Sequence, residues 1–149
     1  MTGPDVLGEA INAYWKNGKA EKIRVWVDND EDDSLDPGYF FRDFSQMPVL
    51  EQYALQLATG KCLDVGAAAG CHSLVLQEWG FDVVAIDNSQ LSCDVAKERG
   101  VKKVVCADFE DFDEGGFDTI FLLMNGWGLG VTSKGTMTML QKMAKMLNP

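Results

Sequence analysis

The chain has 149 residues, with 13 Lys and Arg against 23 Asp and Glu and a formal net charge of −10. That length holds about one domain, and 46% hydrophobic with 24% charged residues excludes a wholly disordered chain. The acidic excess argues against a nucleic-acid-binding module, because phosphate contacts need clustered Lys and Arg. The longest strongly apolar run, Ile120 to Met124, falls far short of the ~20 residues of a membrane span. The opening Met1-Thr2-Gly3-Pro4-Asp5 has no basic region leading into an apolar one, so no secretory signal is expected. Cys62, Cys71, Cys93 and Cys106 form no C-x-x-C pair and His72 is the one histidine, so no metal site is expected. The cysteines read as small buried hydrophobes. Reduced thiols without a secretory signal suggest the cytoplasm.

Val6, Leu7, Ala10, Ile11 and Tyr14 recur at helical spacing between Pro4-Asp5 and Asn17-Gly18, predicting an opening helix. Lys22 to Val27 alternates and predicts a short strand. Residues 28–36 carry six acids and no base, which reads either as a solvated loop or as a mobile lid that attracts a cationic substrate. A second helix is predicted to begin near Pro48, with Leu50, Tyr53, Ala54 and Leu57 inward, and to end at Gly60.

From Lys61 strands and helices alternate. Cys62 to Val65 is a buried strand; Cys71, Leu74, Val75 and Trp79 mark a helix closed by Gly80. Phe81 to Ile86 is a second strand ending in Asp87. Ser89 caps the next helix, with Lys97 and Arg99 in its last turn and Gly100 as its stop. Lys103 to Cys106 is a third strand, Thr119 to Met124 a fourth, and Thr136 to Leu147 a last helix. Met137, Leu140, Ala144 and Leu147 share a helical face there; the methionines at 137, 139, 143 and 146 read as core filler. The expectation is an α/β fold with a Rossmann-like parallel sheet covered on both faces, preceded by a helical or lid segment over residues 1–60.

Ligands of such sheets bind beyond the carboxyl ends of the strands. After the first strand comes Asp64-Val65-Gly66-Ala67-Ala68-Ala69-Gly70, whose small residues let backbone approach a ligand. The helix that follows offers free N–H groups to an anion. After the second comes Asp87-Asn88, roughly 20 residues beyond Gly66, where a carboxylate can accept ribose hydroxyls. After the third comes Ala107-Asp108-Phe109, suited to an adenine amino group and face. After the fourth comes Asn125-Gly126-Trp127-Gly128. Each feature alone has a plain packing or capping explanation; their joint register with the β/α alternation points to a nucleotide. A nicotinamide-type turn wants G-x-G-x-x-G, and those places hold Gly66, Ala68 and Cys71, so an NAD(P)-dependent oxidoreductase is disfavoured.

Residues 61–127 resemble a class I S-adenosylmethionine-dependent methyltransferase. Asp64, Gly66 and Gly70 match the family's first motif, with Ala68 in place of its middle glycine. Val84-Ala85-Ile86-Asp87 resembles the second, whose acid binds the ribose, and Ala107-Asp108-Phe109 the third, which contacts adenine. Phe117 to Phe121 resembles the strand before the fourth motif. Phe40-Phe41-Arg42 and Leu123-Met124-Asn125-Gly126 resemble a subgroup of small bacterial methyltransferase-like proteins. The resemblance implies a cofactor set of Asp64, Gly66, Ala68, Gly70, Asp87, Asn88, Asp108, Phe109, Asn125 and Arg42. Residues 61–149 would then form a partial cofactor-binding domain with strand order 3-2-1-4, the family sheet continuing to seven strands.

Methyl transfer from a sulfonium needs placement more than acid–base help, so no triad is expected and none is visible. Candidates for catalysis are Asn125, Trp127 and His72; His72 reads either as a cofactor contact or as a packing residue. Arg42 could pair with the cofactor carboxylate or form an ion pair with the acidic segment. Tyr39, Phe40 and Phe41 could cover the sulfonium or belong to the core. The expected activity is methyl transfer to a small-molecule acceptor; a non-catalytic nucleotide-binding or regulatory module is the alternative. The resemblance further implies a shortened chain or gene fragment. A bare apolar edge at the fourth strand would then favour a homo-oligomer.

Overall fold

The computed structural model describes residues 3–27, 30–124 and 126–149, with the side chains at 27, 30–32, 127 and 128 outside the description. Helix α1 spans Val6–Asn17. The Asp5 carboxylate accepts from the Gly8 amide at its start, and Gly18 closes it in the left-handed conformation at φ 70°. Strands β1 (Ile23–Val27) and β2 (Asp30–Leu35) pair antiparallel, with Val25 opposite Asp33 and Ile23 opposite Leu35. This corrects the expectation of an acidic loop, since most of the run is a strand. Backbone pairing with β1 supplies the hydrogen bonds, Leu35 packs on the Ile11 and Phe40 cluster, and Asp33 stays exposed. Asp28 and Asn29 lie outside the described residues.

Helix α2 spans Val49–Gln56, and of its expected inward face only Ala54 packs on the core. Leu50, Tyr53 and Leu57 are 83%, 60% and 61% exposed, while Leu55 is fully buried. Glu51 and Leu55 lie one turn apart, and ion pairs from Glu51 to buried partners turn that face inward.

The main sheet comprises β3 (Lys61–Val65), β4 (Asp82–Asp87), β5 (Val104–Cys106) and β6 (Thr119–Phe121). Its order is β5-β4-β3-β6, all pairs parallel. Counted from Lys61, this is the expected 3-2-1-4 arrangement. Helices α3 (Cys71–Glu78), α4 (Gln90–Glu98) and α5 (Ser133–Met146) complete the fold. Alternation along the strands divides the core. Leu63, Val65, Val84 and Ile86 face α5 through Met139, Met143 and Met146. Cys62 and Val83 face the opposite way, toward Leu55 of α2 and Val75 and Leu76 of α3.

Two details of the last segments depart from expectation. The buried stripe of α5 is Met139, Met143 and Met146, whereas Met137, Leu140 and Leu147 are 58%, 37% and 40% exposed. Both stripes have helical spacing; the unbranched methionines fit the uneven surface of Leu63, Val65 and Phe117. Strand β6 ends at Phe121, so it presents only three residues at the sheet edge. Ile120 and Leu122 pack on the α5-side core, and Phe121 and Leu123 belong to the other. Residues 120–124 are therefore not a bare apolar edge. Phe117 also forms a parallel bridge with Leu147, in which the Asn148 amide donates to the Phe117 carbonyl at 2.7 Å.

The N-terminal segment lies over this domain. Helix α1 packs against α4, and Ile11 and Phe40 join Ala68, Ala69 and Val95 in one buried cluster. The Asp5 carboxylate accepts from the Ser89 hydroxyl at 2.6 Å, and that hydroxyl caps α4 by accepting from the Ser92 amide. One hydrogen bond thus joins the starts of α1 and α4.

Candidate functional site

The carboxyl ends of β3 and β4 open into a cleft of about 330 Å³, lined by Gly66, Asp87, Asn88, Phe109 and Met124, with Asp5 at its rim. A neighbouring cavity of about 810 Å³ shares Phe109 and Leu129 with it and is bordered by Lys134 and Lys142. These volumes lie in the range of small-molecule sites. Among the described residues no group of three or more His, Cys, Asp or Glu is placed to hold a metal ion, and no helix is long and apolar enough to cross a membrane.

The loop after β3 is folded onto β4. The Gly66 and Ala67 amides both donate to the Ile86 carbonyl, at 2.9 and 3.1 Å. Gly66 has φ 71°, and a Cβ there would meet only Leu129 Cδ1 at 3.9 Å, so its surroundings are open toward the cleft. Gly70 has a different reason to be glycine. It has φ 78°, and a Cβ would lie 2.6 Å from Val101 Cγ2, so its lack of a side chain serves packing at the start of α3. Ala68 takes φ 48° without being glycine. Its amide donates to Asp87 Oδ2 at 2.8 Å, a bond that holds this uncommon conformation in place.

Asp87 ends β4 with one oxygen on the Ala68 amide and the other on the Ser89 amide, at 2.8 and 2.9 Å. Burial raises its carboxyl above the ordinary value; the two amides pull the other way, and Asp64 and Asp5 add to the rise. Each oxygen retains acceptor capacity beyond its one amide. Beside it, Asn88 Nδ2 donates to Asp108 Oδ1 at 2.9 Å, joining the loops after β4 and β5. Phe109 is half-buried under Lys142, whose Nζ lies 5.2 Å from the ring centroid and donates to the Phe109 carbonyl. Asp64 is buried and accepts from Ser73 Oγ at 2.7 Å, tying β3 to α3.

The sequence did not single out the neighbours of Arg42 and His72. Both are buried, at 7% and 4% exposure, and both bind Glu51 of α2. Arg42 Nη2 donates to Glu51 Oε2 at 2.9 Å, and Nη1 approaches Oε1 at 3.4 Å. His72 Nε2 lies 2.7 Å from Glu51 Oε2. Among the described residues the partner of Arg42 is Glu51 of helix α2. Its guanidinium stacks 3.6 Å from the Tyr39 ring centroid, and Nη2 also meets Met124 Sδ at 3.5 Å. Met124 lines the cleft and has φ 54°.

Burial opposes the charge on His72, but the Cys71 sulfur and the carboxylates of Asp64 and Glu51 outweigh it and lift the imidazole to about 9 from its ordinary 6.5. Burial also opposes the charge on Glu51, yet hydrogen bonds from His72 and Arg42 hold its carboxyl below the usual value. The stabilising contribution of His72 is therefore fully present below about pH 6.5 and lost as the pH rises through about 9.

Arg99 is the second cation the sequence undervalued. Its Nη1 donates to the Ala69 carbonyl at 2.7 Å and to the Phe40 carbonyl at 3.4 Å, with the guanidinium 4.7 Å from the Phe41 ring centroid. Phe40 is core, while Tyr39 and Phe41 hold the protein's own arginines. The α4 helix dipole accounted for this residue in the sequence, and nothing local announced its reach across the fold. Asn125 and the Trp127 side chain lie outside the described residues.

A model of the methyltransferase domain matches residues 62–149. The chain belongs to this methyltransferase family. The domain is also similar to a solved S-adenosylmethionine-dependent methyltransferase from Bacteroides fragilis in complex with S-adenosyl-L-homocysteine. That match has 43% identity and a TM-score of 0.85, covering 97% of this chain and 61% of the other. The chain thus spans about three-fifths of that relative's length. The sugar N-methyltransferase KedS8 from Streptoalloteichus sp. shares the fold at 20% identity, with a TM-score of 0.63 over 86% of this chain and 56% of its own. The amino pentose methyltransferase CalS10 from Micromonospora echinaspora does so at 22% identity, with a TM-score of 0.55 over 67% of this chain and 43% of its own. No curated protein matches the chain. The four strands of the domain thus have the parallel order that its class I motifs implied.

Proposed function

We propose that this chain carries the cofactor half of an S-adenosylmethionine-dependent methyltransferase acting on a small-molecule acceptor. The observation that carries the reading is Asp87: a carboxylate at the end of β4, facing the cleft with spare acceptor capacity on both oxygens. It would accept the two ribose hydroxyls. The adenine would lie against Phe109, with Asp108 and Asn88 at its edge. Gly66 and Ala68 would pass the backbone close to the ligand, with Asp64 and Gly70 shaping that loop from beneath. Arg42 would receive the amino-acid carboxylate once Met124 moves aside.

S-adenosylmethionine supplies a methyl group on a sulfonium, already activated toward a nucleophile. The chain's own residues therefore need only bind, orient and exclude water. Asn125 and Trp127 follow Met124 in sequence and are assigned to the acceptor side. His72, held on Glu51 beneath the surface, is assigned to binding rather than to proton transfer. A net charge of −10 favours a small acceptor over nucleic acid. Four cysteines without disulfides suit a cytoplasmic setting.

Calorimetric titration with S-adenosylhomocysteine, with NAD as the control ligand, tests the reading. Saturable binding of the first alone is expected; no binding by folded protein overturns it. We further propose that residues 1–60 act as a cover for the cofactor domain 61–149, latched by the Ser89 hydroxyl donating to Asp5 and by Arg99 donating to the Phe40 carbonyl. Self-association through the backbone of the β6 edge is proposed as well. Sedimentation should show a dimer or larger species at micromolar concentration, and a monomer rejects it.

A further inference from the structure

Arg42, Glu51 and His72 come from three places in the chain: a loop, α2 and the first turn of α3. They meet behind Met124, with Arg42 and His72 buried and Glu51 partly so. Buried charges persist where they are paired, and removing one partner of such a pair is costly. Here two potential cations share one carboxylate. With His72 protonated these three side chains together carry one net positive charge, held a single side chain away from the cleft, and Asp64 is the further carboxylate near His72. The other groups facing His72 are Cys71, whose Sγ lies 3.8 Å from Nδ1, and Asp64 at the end of β3, already engaged by Ser73. Tyr39 contributes its ring face to Arg42 and its carbonyl to Nε, at 2.7 Å.

We propose that Glu51 is a positioning residue that holds Arg42 and protonated His72 together as one net-positive clamp, and that this clamp recognises the amino-acid carboxylate of the cofactor. The inference rests on the cofactor reading above and deepens it. Arg42 and His72 are two cations sharing one hydrogen-bonded carboxylate, so they have donors to spare for a second, and a ligand carboxylate would supply it. Glu51 keeps the Arg42 guanidinium flat on Tyr39 and so leaves little side-chain freedom to lose on binding.

Two measurements on the whole chain test the clamp. The chain has one histidine, so its ring resonances report His72 alone. The expected titration midpoint is near 9 in the wild-type chain, and it falls in Glu51→Gln. A wild-type midpoint at or below the ordinary 6.5 overturns the clamp, because the second positive charge would be missing at neutral pH.

The second measurement compares S-adenosylhomocysteine with 5′-methylthioadenosine, which keeps the adenosine and thioether but has no carboxylate. Glu51→Gln should weaken the first about tenfold, the scale of one charged hydrogen bond, and change the second less than about twofold. Equal weakening of both ligands assigns Glu51 a purely structural role and overturns the proposal, as does no change in either. Wild-type binding of methylthioadenosine with no preference for S-adenosylhomocysteine removes the clamp and leaves the nucleotide pocket standing. Failure of the folded wild type to bind either ligand removes both. Should Glu51→Gln not fold, the wild-type histidine titration and Arg42→Lys against the same two ligands decide the matter.

Discussion

Asp87→Ala should lower the affinity for S-adenosylhomocysteine by more than a hundredfold. A carboxylate accepting two ribose hydroxyls contributes about 1.5–3 kcal/mol through each charged hydrogen bond, and about 1.4 kcal/mol is a factor of ten. Alanine also releases the Ala68 and Ser89 amides, bonded to it at 2.8 and 2.9 Å. Ala68, held at φ 48°, would lose the bond that keeps that conformation. Asp87→Asn separates the two effects: its amide keeps one acceptor and the side-chain shape, so a smaller loss, on the order of tenfold, is expected. Titration calorimetry reads both variants, and a change below about threefold in Asp87→Ala would remove Asp87 from the binding site. The carboxyl of Asp87 is raised by burial, so it takes up a proton at a higher pH than an ordinary aspartate. Binding should accordingly weaken on acidification before exposed carboxylates titrate.

The second large effect is on stability. Phe117 is fully buried beside β6, with its ring centroid 6.3 Å from that of Phe112 and Lys61 Nζ 4.7 Å above it. It fills the space between the sheet and the Met139–Met143–Met146 stripe. Phe117→Ala should cost about 3–5 kcal/mol, a large part of the 5–15 kcal/mol that a domain of this kind possesses. At roughly 2–4 °C per kcal/mol for a chain of this size, the midpoint should fall on the order of 10 °C. Phe117→Leu keeps most of the volume and should cost about 1.5 kcal/mol. Thermal unfolding followed by circular dichroism measures both. Equal shifts for the two variants would show that the loss comes from the backbone bridge to Leu147 rather than from the ring.

Local patterns determined a good deal of this protein. Asp5, Ser89, Gly18, Gly80 and Gly100 announced helix ends because caps and left-handed turns act within a few residues. The strands read at 62–65 and 81–86 were plain from runs of apolar residues and fall within one residue of the observed ones; their parallel pairing followed from strands alternating with helices, and their order from the family resemblance. Asp87, Asn88, Asp108 and Phe109 were legible as a group because this fold sends the residue after each strand to one rim. That Asn88 binds Asp108, and that Asp87 is partly engaged by Ala68, depended on distances across the sheet.

What tertiary structure alone decided concerns residues whose partners are far along the chain. Helices α2 and α5 each carry two apolar stripes, and periodicity cannot choose between them. Packing selects Leu55 in one and the methionine row in the other, because those side chains face the sheet. Pairing with β1 turned the acidic run into a strand, a choice that depends on a second segment to bond with. Glu51 gave no local sign of its role; only folding brings Arg42 and His72 within 3 Å of one carboxylate. Arg99 likewise reaches Ala69 across about thirty positions. Propensity and patterning act over a few residues and so can be read in order, whereas charge pairing and face selection arise from proximity in space.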